Sequence, residues 1–107
     1  MDIQTVMEEL NQMTAERDWD QFHSPENLAK SIMIEGGELL ECFQWDAEHY
    51  DLDRVKAELA DVLSYCLMLC DKLHLDPAQI VHGKLQSTLK KYPVEKAKGK
   101  NTKYTDL

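Results

Sequence analysis

Apolar residues recur along this chain at intervals of three and four and not of two, the period of a helix lying on a core. Ile3, Val6, Met7, Leu10 and Met13 form one such stripe, which predicts a first helix from Asp2 to Arg17. A loop over Asp18–His23 follows. Ser24-Pro25 then reads as a helix start, since Ser24 accepts from a free backbone N–H and Pro25 needs no donor at the first helical position. The pattern carries this second helix to Trp45. Asp46 to Leu52 is polar and predicts a turn, and a third helix should run from Asp53 to Leu73. Asp76-Pro77 repeats the start signal, with Gln79 three residues after Asp76. The fourth helix should stop at Lys91, because Pro93 disfavours helix at Tyr92. Residues 94 to 107 are lysine-rich without apolar periodicity, so an irregular tail is expected. The reading is all-α: a four-helix bundle over residues 1–93 and a basic C-terminal tail over 94–107.

Charge changes this picture. The net charge is −8, yet from Lys84 onward seven lysines face only Glu95 and Asp106, giving +5 and leaving −13 on the preceding 83 residues. An acidic body repels a nucleic-acid backbone, so no nucleic-acid partner is expected. It suits a metal-dependent site for a small polyanion, or simply a solvated surface. The tail should be loosely held alone and close over an anionic ligand. Cys42, Cys66 and Cys70 lie within apolar helical patterns, are odd in number and form no Cys-x-x-Cys motif. They read as reduced thiols of a cytoplasmic protein. No apolar run is long enough for a membrane span, and Met1-Asp2-Ile3-Gln4 does not resemble a signal peptide.

The residues richest in chemistry are Glu35, Glu38, Glu58 and Asp61. Each pair is spaced i, i+3, so both carboxylates share a helix face. Both pairs are flanked by apolar residues and are taken to lack a cationic neighbour one turn away. Ionised acids in such surroundings are costly unless a cation meets them. Were the two helices antiparallel, four carboxylates would converge and suit a hard divalent ion, magnesium or manganese. The alternative is a set of exposed helix acids. The stripes continue through Cys42 to Trp45 and from Asp61 to Tyr65. Trp45 and Tyr65 are therefore either walls for a base or ordinary core aromatics. Gly36 and Gly37 cost about 1 kcal/mol each against alanine in mid-helix, which points to close approach of another helix or of a ligand. His49, His74 and His82 lack ligand spacing. His23 stands beside a helix start, where backbone N–H groups favour anions.

Glu-x-x-Glu and, after nineteen residues, Glu-x-x-Asp resemble the MazG-like all-α nucleoside triphosphate pyrophosphohydrolase superfamily. Arg17-Asp18-Trp19, Phe22-His23-x-Pro25-x-Asn27-Leu28, Glu35-Gly36-Gly37-Glu38-Leu39-x-Glu41-x-Phe43-Gln44-Trp45, Glu58-Leu59-x-Asp61-Val62-Leu63-x-Tyr65, Lys84, Lys91-Tyr92-Pro93 and Lys103-Tyr104-Thr105-Asp106-Leu107 are similar to its dCTP pyrophosphatase branch. The resemblance implies an enzyme that converts a nucleoside triphosphate, dCTP or a related or modified deoxynucleotide, to monophosphate and pyrophosphate. It implies magnesium on Glu35, Glu38, Glu58 and Asp61, with Glu41 assisting the metal or orienting water. Trp19, Trp45 and Tyr65 would line the base and sugar pocket, with His23 and Asn27 in the same motifs. Lys84, Tyr92 and the tail would meet phosphates. A homotetramer with sites built across subunits is also implied. Thr88 stands where the branch often has asparagine, and Leu10 where it often has histidine, both near the base. A non-catalytic nucleotide- or metal-binding bundle, or a protein-association module, is the alternative.

Overall fold

The computed structural model describes residues 1–107 and is helical throughout. Its helices are α1 (Ile3–Glu16), α2 (Pro25–Glu41), α3 (Leu52–Lys72), α4 (Pro77–Lys91) and the single turn α5 (Val94–Ala97). 3-10 turns lie at Asp20–Phe22 and Tyr104–Asp106. The all-α expectation is met, and no helix is long and apolar enough to cross a membrane.

The starts are fixed by side-chain caps. Asp2 accepts from the Thr5 N–H, Ser24 from Asn27, Asp51 from Asp53 and Arg54, and Asp76 from Gln79. Each cap satisfies donors that the first helical turn leaves free. α3 therefore starts at Leu52, one residue earlier than the polar pattern indicated, because Asp51 is the cap.

The end of α2 departs further from expectation. The helix stops at Glu41 and does not reach Trp45. From Cys42 onward the amides bond three residues back: Cys42 to Leu39 (3.1 Å), Phe43 to Leu40 (3.0 Å) and Gln44 to Glu41 (3.2 Å). This tightened last turn leads into a loop closed by its own contacts. The Phe43 and Tyr50 rings meet edge-on at 4.9 Å, and Asp46 accepts from the amides of Glu48 and His49. Trp45 thus leaves the acid stripe and is 89% exposed.

Two compact units arise, residues 1–74 and 75–107. In the first, α3 is the element on which both α1 and α2 pack. Leu28 is its one fully buried large side chain, and Met7 and Thr14 are the other buried residues. No residue of α3 is buried, while Met33 and Leu40 of α2 are 77% and 70% exposed. The second unit joins α4 and the tail. The tail is more regular than its composition suggests, because Tyr104 anchors it. The Tyr104 amide donates to the Tyr92 hydroxyl (3.2 Å), the two rings meet edge-on at 6.0 Å, and Lys91 Nζ lies 4.6 Å from the Tyr104 ring centre.

Leu28→Ala should destabilise the fold by about 2–5 kcal/mol, the range for emptying a well-packed apolar site. Ser24→Ala, which removes only the α2 cap, should cost about 1 kcal/mol. Urea unfolding of both variants checks the order; equal losses would mean that Leu28 is not the packing centre.

Candidate functional site

α2 and α3 run antiparallel at the acids. Glu41 pairs with Arg54 (3.7 Å), and Glu38 lies against Glu58, so numbers rising along one helix meet numbers falling along the other. The i, i+3 spacing turns both acids of each pair into this seam. Carboxylate oxygens of Glu35, Glu38 and Glu58 all lie within 4.8 Å of one another. Asp61 is more exposed and falls outside that trio, but its charge acts on both Glu35 and Glu58.

The electrostatic consequence is direct. Glu35 is raised from an ordinary 4.5 to about 7, first by the hydrogen bond it shares with Glu38, then by burial and by the charges of Glu38, Asp61 and Glu58. Glu58 is raised as well, chiefly by loss of solvent, then by Glu38 and Asp61. Glu35 Oε2 and Glu58 Oε2 are shielded from solvent and have no hydrogen-bond partner. Buried polar atoms seldom stay unpaired, since their lost hydration then goes uncompensated. Clustered oxygens with two such orphans fit a hard, oxygen-ligated divalent cation.

Contrary to the expectation of no cationic neighbour, Arg54 stands one turn before Glu58 and partly offsets its rise. Counting back four residues from Glu58 reveals it, so the acids are not without a cationic neighbour. Its guanidinium is engaged by the exposed Glu41.

The other expected residues fall into three settings. Trp19 and His23 belong to the α1–α2 connection, and Asn27 to the first turn of α2. There the His23 and Tyr65 rings meet edge-on at 6.4 Å, and Asn27 Nδ2 donates to the Phe22 carbonyl (2.9 Å). Tyr65 stands one turn beyond Asp61, so the acid stripe of α3 and this connection are brought together. Trp45 is on the exposed loop after α2. Lys84, Thr88 and Tyr92 belong to the second unit. Lys84 and Thr88 line an open cavity of about 460 Å³ with Ile80, Val81 and Leu85, and Tyr92 holds the tail. Neither Gly36 nor Gly37 has a neighbour within 4 Å of where a Cβ would stand, so packing within this chain does not require them. Gly37 instead lines an open recess of about 330 Å³ with Leu40, Glu41 and Gln44.

The MazG-like family model matches residues 30–107, a span that includes both acid pairs. The chain belongs to the MazG-like family. It is 40% identical to dCTP pyrophosphatase 1 of Rattus norvegicus, 38% to that of Mus musculus and 34% to that of Homo sapiens, each over 105 residues and 90% of this chain. The chain spans 62% of the length of these relatives. The crystal structure of a pyrophosphatase from Archaeoglobus fulgidus is similar with a TM-score of 0.75 and 37% identity, over 84% of this chain and 91% of that one.

The raised acids dictate a pH dependence for the metal-free protein. Glu35 binds its proton more tightly folded than unfolded, so its contribution to stability is full below about 4.5 and is lost as pH rises toward 7. Melting temperature in chelator should therefore fall over that window, and the fall should shrink in Glu35→Gln. An unchanged slope in the variant would remove Glu35 as its source.

Proposed function

We propose that this protein is a magnesium-dependent nucleoside triphosphate pyrophosphohydrolase, converting dCTP or a related or modified deoxynucleotide to the monophosphate and pyrophosphate. The observation that carries the reading is the orphaned pair of buried oxygens on Glu35 and Glu58 within the Glu35–Glu38–Glu58 cluster. Family membership and the names of the relatives, dCTP pyrophosphatase 1, support the substrate class.

In this reading Glu35, Glu38, Glu58 and Asp61 hold magnesium, with manganese as a substitute. A cation bound there supplies neutralisation of phosphate charge and acidifies water. Glu41, held by Arg54 at the end of the seam, orients the attacking water. No nucleophilic side chain with an adjacent base is evident in the sequence, so water attacks directly. Trp19, Trp45 and Tyr65 line the base and sugar pocket beside His23 and Asn27, and Thr88 stands near the base. Lys84, Tyr92 and the lysines of the tail meet the phosphates. The site works within a homotetramer. The exposed Met33, Ile34 and Leu40 on α2, and an open apolar groove of about 570 Å³ lined by Ile3, Val6, Leu63 and Leu67, support association of copies.

Glu38→Gln removes one charge and one ligand with little change in shape. Turnover should fall at least about 100-fold, near 2.7 kcal/mol, in a pyrophosphate-release assay across deoxynucleoside triphosphates. The wild type should be silent in chelator and recover with magnesium or manganese. Release without a divalent cation would overturn the reading. Sedimentation should give a tetramer; a stable monomer at micromolar concentration would sink the oligomer.

A further inference from the structure

The connection between α1 and α2 has little apolar packing to fix it. Phe22 is 61% and Trp19 44% exposed. A cavity of about 20 Å³ lies beneath, lined by Asn11, Thr14, His23 and Lys72 among others. Its position rests on polar ties. The Trp19 amide donates to the Thr14 carbonyl (2.9 Å), and Asp18 takes a left-handed turn (φ 57°). Asn27 holds the Phe22 carbonyl (2.9 Å), but these contacts fix the segment only to its own flanking helices.

Two contacts reach across to α3. Lys72 Nζ donates to Asp20 Oδ1 at 2.7 Å, and the His23 ring meets that of Tyr65. Lys72 and Tyr65 are seven residues apart, two helical turns on one face and about 10 Å along the axis. Asp20 and His23 are three residues apart across a 3-10 turn, a rise of about 6 Å, and the long Lys72 side chain reaches the remaining distance to Asp20. The segment is thus laid along α3 in a fixed register, with His23 toward the Glu58–Asp61 end and Asp20 away from it. Lys72 is the more enclosed partner, its side chain 30% exposed against 70% for Asp20. The short distance and that enclosure set it apart from the chain's looser surface pairs, which contribute little.

We propose that Lys72 and Asp20 are positioning residues for substrate: their ion pair sets how far His23, and Trp19 with it, reaches along α3 toward the acid cluster. This rests on the reading that the cluster is the catalytic centre and that this segment borders the nucleotide. The pair touches neither the acids nor the phosphates, so its loss should weaken nucleotide binding and spare the chemistry.

Lys72→Met keeps the apolar stem and removes the charge. It should raise KM for the nucleoside triphosphate at least about fivefold with kcat within about twofold. Affinity for Mn2+, measured without nucleotide, should be unchanged. Asp20→Asn should do the same. The double variant should be no worse than either single one, and the exchange Asp20→Lys/Lys72→Asp should recover most of the KM. Hydrogen exchange over residues 17–24 should quicken in both single variants. Unchanged KM, or unchanged exchange, in Lys72→Met would overturn the proposal. Weakened Mn2+ binding would also overturn it, placing Lys72 in the fold of the cluster. A wild type that turned over no nucleotide would sink the catalytic reading, and the exchange experiment would still decide whether the pair holds the segment.

Discussion

Repulsion between carboxylates is the constraint on which this structure turns. α2 and α3 bring Glu35, Glu38 and Glu58 within 4.8 Å of one another, with Asp61 close by. Left alone, such a cluster keeps protons it would lose in water, as the rise of Glu35 to about 7 records. It also leaves two buried oxygens unpartnered. A divalent cation would remove both costs at once, because it would replace the proton as counter-charge and satisfy the orphaned lone pairs. The seam is unfavourable as a stand-alone packing interface.

The rest of the first unit serves this seam. α3 is the shared support, contacting α1 on one side and α2 on the other. Caps at Asp2, Ser24 and Asp51 set where the helices begin. Arg54 and Glu41 sit where the seam runs out. Lys72, at the other end of α3, fixes the segment that carries Trp19 and His23. Different stretches of one helix thus hold the acids, the ring of Tyr65 and the anchor of a neighbouring loop, and their spacing along the axis is set by the helical rise. Leu28 is the sole fully buried large side chain of this unit.

The sequence by itself determined the helices and the acids. Three-and-four spacing and the cap-then-proline starts at Ser24-Pro25 and Asp76-Pro77 are local signals, and local hydrogen bonding obeys them. The i, i+3 acid pairs were legible for the same reason: helical geometry alone puts them side by side. The family resemblance rested on those residues, and the family match bears it out. Tertiary structure decided the rest. The apolar and aromatic pattern through Trp45 continues a helical stripe, yet Phe43 meets Tyr50 and Asp46 caps the following amides, so the helix ends four residues sooner. Composition gave the tail no anchor, yet Tyr104 finds Tyr92 twelve residues back. The antiparallel register that lays Glu38 against Glu58, and the 52-residue reach from Asp20 to Lys72, join positions whose separation no local period encodes. Helical period reports which residues share a face; only the packing of one helix on another decides what that face meets.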